Sequence, residues 1–98
     1  MAFQQFEQED RRLVTLRLLA EDQDYTINSS ILQQALGLWG HAVSRDRLHA
    51  DIAWLAEQGL VSYETLASVY VVKISARGLD VAKGRATVPG VKRPGPGE

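Results

Sequence analysis

The chain has 98 residues, 45% of them hydrophobic, with a formal net charge of −1 and no cysteine. One domain fits this length and a second core does not; disulfides, zinc–cysteine sites and cysteine nucleophiles are excluded, and a reducing cytoplasm is the expected setting. The start, Met1-Ala2-Phe3-Gln4-Gln5-Phe6-Glu7, lacks the basic residues and apolar run of a signal peptide, and no apolar stretch approaches the ~18 residues that a membrane helix needs.

After an N-terminal segment, 1–6, residues 7–20 read as an amphipathic helix. Leu13, Leu16 and Ala20 recur at helical spacing, with Val14, Leu18 and Leu19 widening the stripe. Glu7, Glu9 and Asp10 then fall in the first turn, where the helix dipole favours acids. Asp22-Gln23-Asp24 is a polar break, and Tyr25-Thr26-Ile27 is a strand-forming run long enough only for an edge. Asn28 and Ser29 are both good N-caps for a second helix reaching about Leu38, with Leu32, Ala35, Leu36 and Trp39 on its inner face. Gly37 and Gly40 weaken and end it.

His41-Ala42-Val43 forms a short turn, and Ser44 caps a third helix, 45–58, whose inward stripe is Leu48, Ile52 and Leu55. Gly59 stops that helix. Two runs rich in β-branched and aromatic residues follow, Leu60–Glu64 and Val69–Ile74, joined by the four residues Thr65–Ser68 as a hairpin. Ser75 caps a last short helix, about 76–84, with Leu79 and Ala82 facing in. The stretch 85–98 holds all three prolines and reads as a flexible basic tail. The fold expected for 7–84 is a mainly helical α+β domain of winged helix-turn-helix type. It has a three-helix core, a two-stranded wing and a short C-terminal helix.

The run Leu48-x-x-x-Ile52-x-x-Leu55-x-x-x-Gly59-Leu60-Val61 resembles the third helix and first wing strand of many bacterial winged-helix regulators. The run Tyr70-Val71-Val72-Lys73-Ile74-Ser75-Ala76-Arg77-Gly78-Leu79 resembles the second wing strand followed by a helix-opening T-x-x-G step, with Ser75 in the Thr place. With Gly78-Leu79-Asp80-Val81-Ala82-x-Gly84 and the Pro-Gly tail, the whole chain is similar to small ArsR-like proteins of Mu-like transposable phages and prophages. That resemblance implies transcriptional control. The cysteine motif of the metal-sensing ArsR type is absent, so neither metal nor cofactor is expected; the long C-terminal dimerisation helix of the PadR type is absent too.

In a helix-turn-helix the start of the second helix enters the major groove, which here places Ser44, Arg45, Arg47 and His49 against double-stranded DNA. Arg45 or Arg47 could read guanine, and Ser44 with nearby amides could hold a phosphate. The surface alternative pairs Arg47 with Asp51 at i, i+4. Charge is unevenly spread. Residues 73–97 carry six bases against Asp80 alone, whereas 1–24 carry six acids against three bases. Lys73, Arg77, Lys92 and Arg93 are accordingly candidate phosphate contacts.

The wing tip Thr65-Leu66-Ala67-Ser68 has no base. Leu66 there suggests a protein contact or a minor-groove wedge. Trp54 falls on the side of its helix away from Ile52, to be covered either by Phe3 and Phe6 or by a second subunit. The expected regulator is a homodimer, because two-fold DNA sites favour dimers. The rival reading is a protein-interaction module, an adaptor in phage DNA processing. No catalytic arrangement emerges. Asp46 beside His41 and Ser44 lies in an exposed first turn, His49 and Asp51 point to different sides of a helix, and no phosphate-binding glycine loop follows a strand.

Overall fold

A computed structural model describes residues 2–96. Met1, at the head of the expected N-terminal segment, and Gly97 and Glu98, at the end of the expected tail, lie outside the described residues. The elements in chain order are α1 (Ala2–Glu21), β1 (Thr26–Asn28), α2 (Ser29–Leu38), α3 (Arg45–Glu57), β2 (Val61–Leu66), β3 (Val69–Ile74) and α4 (Ala76–Ala82). The result is a mainly helical α+β fold with one three-stranded antiparallel sheet in the order β1-β3-β2.

The helices begin where side chains satisfy their first amides. Asn28 accepts from Ile31 N–H at 2.9 Å, Ser44 from Arg47 N–H at 3.1 Å and Ser75 from Gly78 N–H at 3.0 Å. Such caps contribute ~1 kcal/mol each. Helix α3 ends at Gly59, whose φ of +76° is the left-handed geometry that an L side chain resists. Gly78 is required for a different reason. A Cβ there would collide with the Leu60 carbonyl oxygen, which accepts from Ser75 N–H and ties α4 to the start of the hairpin.

The core joins Leu13, Leu16 and Leu19 of α1 to Leu32 and Leu36 of α2 and to Leu48, Ile52 and Leu55 of α3. Leu60, Val61, Val72 and Ile74 close it from the sheet, and Val81 and Ala82 from α4. Burying each such aliphatic side chain is worth roughly 1.5–3 kcal/mol, so this cluster dominates the stability.

Several details differ from the sequence expectations. Helix α1 starts at Ala2 rather than residue 7, so Glu7, Glu9 and Asp10 lie within it and not in its first turn. Nothing in residues 2–6 breaks a helix, and propensity carries it back to Ala2. The first strand is displaced by one residue, because Tyr25 takes a φ of +58° and turns the chain into β1. The hairpin is longer than expected. Thr65 pairs with Tyr70 and Leu66 with Val69, leaving a two-residue turn at Ala67-Ser68 with Ala67 at φ +56°.

Trp39 is not core. It caps the end of α2 and is 67% exposed, because α2 stops at Leu38 before the helical wheel can bring it inward. The segment read as a flexible tail is packed instead. Val88 and Val91 are buried, Lys92 N–H donates to the Glu9 carbonyl at 3.1 Å, and Arg12 donates to the Gly90 carbonyl at 3.1 Å. Proline and glycine remove regular hydrogen bonding from this stretch, but two valines spaced by three supply enough apolar surface to dock it.

Candidate nucleic-acid interface

The start of α3 follows a six-residue connection from α2, residues 39–44, held by Gln33 Nε2, which donates to the Val43 carbonyl at 3.0 Å. Ser44, Arg45 and Arg47 come together there. Ser44 Oγ is occupied as the cap of Arg47 N–H, so the amides of Arg45 and Asp46 are the ones the helix leaves without an internal partner. The Arg47 side chain is exposed. Arg45 is half-buried, and its Nε is buried with no hydrogen-bond partner among the described residues. Between this helix start and the first half of α1 lies a groove of about 590 Å³, lined by Gln4, Gln5, Glu7, Gln8, Arg11, Val43, Ser44 and Arg47.

His49 is not part of that exposed face. Its Nε2 lies 2.8 Å from Ser29 Oγ, which also accepts Tyr70 N–H at 2.9 Å. Its ring stacks on Tyr70 at 3.8 Å, and Tyr70 stacks on Tyr63 at 4.5 Å. The expected groove contact is therefore a packing residue, because β3 folds back across the face that the helical wheel leaves open. Burial lowers the His49 pKa, and the nearby Arg45 charge lowers it further against a smaller opposing effect of Asp46.

Asp51 does not pair with Arg47 on the surface. It is 1% exposed and lies between two arginines of α1, 2.6 Å from Arg11 Nε and 3.3 Å from Arg12 Nε. The Arg12 guanidinium sits 3.9 Å over the Trp54 ring, and Gly90 closes against the same indole. Trp54 is thus covered by Arg12 and the C-terminal segment, not by Phe3 and Phe6, which are both exposed. The sequence pattern suggested Asp51 only as a surface partner of Arg47 and assigned no role to Arg11 and Arg12. The available signal was a pair of arginines directly before the apolar stripe of α1, where a guanidinium turned inward calls for an acid.

The expected phosphate contacts separate into two groups. Lys73 on β3, opposite Thr26 and Ser62, is exposed, as are Arg77 in the first turn of α4 and Arg93. Lys92 is anchored. Its Nζ lies 3.3 Å from Asp10 Oδ1 and 5.5 Å from the Phe6 ring centre, so it does not form a loose basic arm. Asp10 also meets His41 Nε2 at 2.7 Å. Burial alone would raise the Asp10 pKa, but the hydrogen bonds of His41 and Lys92 outweigh it and hold the carboxyl below its usual value.

Leu66 at the hairpin tip is 64% exposed. A second groove, of about 450 Å³, runs between α1, Trp39 and α4, lined by Val14 and Leu18 with Glu21 and Lys83 at its edges. Among the described residues no cluster of three or more His, Asp or Glu side chains is placed to hold a metal ion, and no helix is long and apolar enough to cross a membrane.

The chain is 57% identical to an uncharacterized protein, gp26, of Escherichia phage Mu over 88 residues, covering 90% of this chain and 91% of that one. It is 43% identical to an uncharacterized protein of Haemophilus influenzae over 72 residues, 74% of this chain and 70% of that one. No family model matches the chain. No solved structure matches it.

Proposed function

We propose that this chain, which belongs to the family of the Mu phage protein gp26 and is a Mu-like phage protein, is a winged-helix DNA-binding regulator of transcription. The observation that carries this reading is the start of α3. A capped helix with Arg47 exposed beside two unpartnered amides follows α2 after a short turn and precedes an antiparallel hairpin. That order corresponds to a helix-turn-helix with a wing. Arg47 and Arg45 contact the major groove, while Lys73, Arg77 and Arg93 are placed for phosphates on flanking surfaces. The protein acts by binding rather than catalysis, in the host cytoplasm, as a homodimer on a two-fold site.

Fluorescence anisotropy with labelled duplexes tiled across the phage's own genome, at about 50 and 200 mM salt, tests this. Tight binding to one tile that falls steeply with salt is the expected result. Arg47→Ala should weaken that binding by about tenfold, the loss of one good base or phosphate contact, and leave the melting temperature unchanged. Wild-type affinity in this variant would rule out the α3 start as the contact.

The second reading, a protein-interaction module in phage DNA processing, is favoured by the uncharged hairpin tip with Leu66 exposed and by the −1 net charge. Under it no tile binds at either salt, and Leu66→Glu abolishes capture of a phage protein partner without unfolding the domain.

A further inference from the structure

Two arginines share one carboxylate in the interior. Arg11 and Arg12 both contact Asp51, so the buried cluster carries a net positive charge. Arg12 spends its remaining reach on the Gly90 carbonyl and the Trp54 face. Arg11 does not finish its bonding in this way. Its side chain is only 7% exposed, and Nη2 is buried without a hydrogen-bond partner among the described residues. A buried guanidinium donor left unpaired is costly, and an excess buried cation is costly unless an anion lies near. Arg11 lines the groove between α1 and the start of α3, and that groove also receives Ser44, the N-cap of α3, and the exposed Arg47.

We infer that this groove is an oxyanion site that takes a phosphate group. Three independent sources of positive potential converge on it. From the Arg11–Asp51–Arg12 cluster Arg11 reaches the groove, one wall is the positive end of a 13-residue helix, and Arg47 also lines it. The amides of Arg45 and Asp46 are free to donate, since the cap uses only that of Arg47. Gln4 and Gln8 supply neutral donors from α1. Glu7 is the one acid among the groove's described lining, and it leaves the balance positive. Asp46 is exposed and does not line the groove. The site deepens the DNA-binding reading and rests on it for the source of the phosphate, a backbone phosphodiester of the duplex. Inorganic phosphate carries the same chemistry without that dependence.

The test is an amide and guanidinium NMR titration of the full chain with inorganic phosphate and, separately, with the duplex. Wild type, Gln8→Glu and Gln8→Lys are compared. Gln8 lines the groove from α1, away from the α3 face that meets bases, and its replacement leaves the Asp51 cluster intact. Phosphate should move the amides of Arg45 and Asp46 and the side-chain resonances of Arg11. Gln8→Glu should weaken that response about tenfold and Gln8→Lys should strengthen it.

Absence of these shifts, or shifts indifferent to both Gln8 variants, overturns the site. Duplex binding that moves the amides of Arg45 and Asp46 yet is equal in all three proteins also overturns it, while leaving the DNA-binding reading in place. Phosphate binding that responds to Gln8, in a protein whose same amides ignore the duplex, supports the oxyanion site and removes DNA as its source.

Discussion

Toward α1 and the C-terminal segment, helix α3 is held by buried charge, Asp51 between Arg11 and Arg12 with Trp54 under the second guanidinium. Toward the hairpin it is held by stacked rings, His49 on Tyr70 and Tyr70 on Tyr63, with Ser29 bridging His49 to the β3 backbone. Both sides hold, but they differ in how they fail. A buried ion cluster contributes little beyond a well-packed apolar substitute, yet removing one partner leaves uncompensated charge in the interior. A ring stack gains only about 0.5–1.5 kcal/mol beyond its area and loses it gradually. The α1 side is therefore brittle and the hairpin side is adjustable, with the exposed start of α3 fixed between them.

Asp51→Ala should separate the two sides most sharply. It leaves both arginines without a carboxylate and should cost about 3–5 kcal/mol in urea unfolding. A loss below 1 kcal/mol would mean that the cluster is solvated. Gly90→Ala comes next. Its φ of +101° disfavours an L side chain, and a Cβ would lie 2.7 Å from the Trp54 ring. Displacing the segment should cost about 1–3 kcal/mol and shift Trp54 fluorescence to the red.

The hairpin side should respond to pH. His49 has a lowered pKa in the folded chain, so the unfolded chain binds its proton first as pH falls. The stability contributed by neutral His49 is fully present above its unfolded pKa near ~6.5, and is lost as pH falls toward the folded value. Melting temperature should therefore decline from pH 7.5 to 5.5 in the wild type and decline less in His49→Gln. Asp10, also lowered, is lost only further down. Its contribution holds above its unfolded pKa near ~3.9 and fades in acid below that. The smallest expected effect lies at the tip. Ala67→Gly relieves a left-handed Ala and should raise stability by about 0.5 kcal/mol, the strain relieved less the freedom glycine gains when unfolded.

The same contrast explains what the sequence disclosed. The stripe Leu48, Ile52 and Leu55, the caps at Asn28, Ser44 and Ser75 and the stop at Gly59 are local, set by neighbours three or four residues away, and each was legible. The exposed start of α3 with Ser44, Arg45 and Arg47 was legible for the same reason. Asp51 was not, because its partners lie about forty residues away on α1 and a helical wheel records only its own helix. His49 was misread as outward because the element covering it, β3, comes twenty residues later. The C-terminal segment was misread because composition reports proline and glycine but not the distant core surface that buries Val88 and Val91.

The docking of that segment also sets an order of assembly. Lys92 bonds to Glu9, Arg12 to Gly90, and α4 packs on α1. Helix α1 is thus translated well before α4 and the 88–92 segment that complete its cover. Contacts so far apart in sequence carry a high loop-closure cost and slow folding. Until those segments emerge, the nascent chain carries part of the apolar face of α1 without its final shelter.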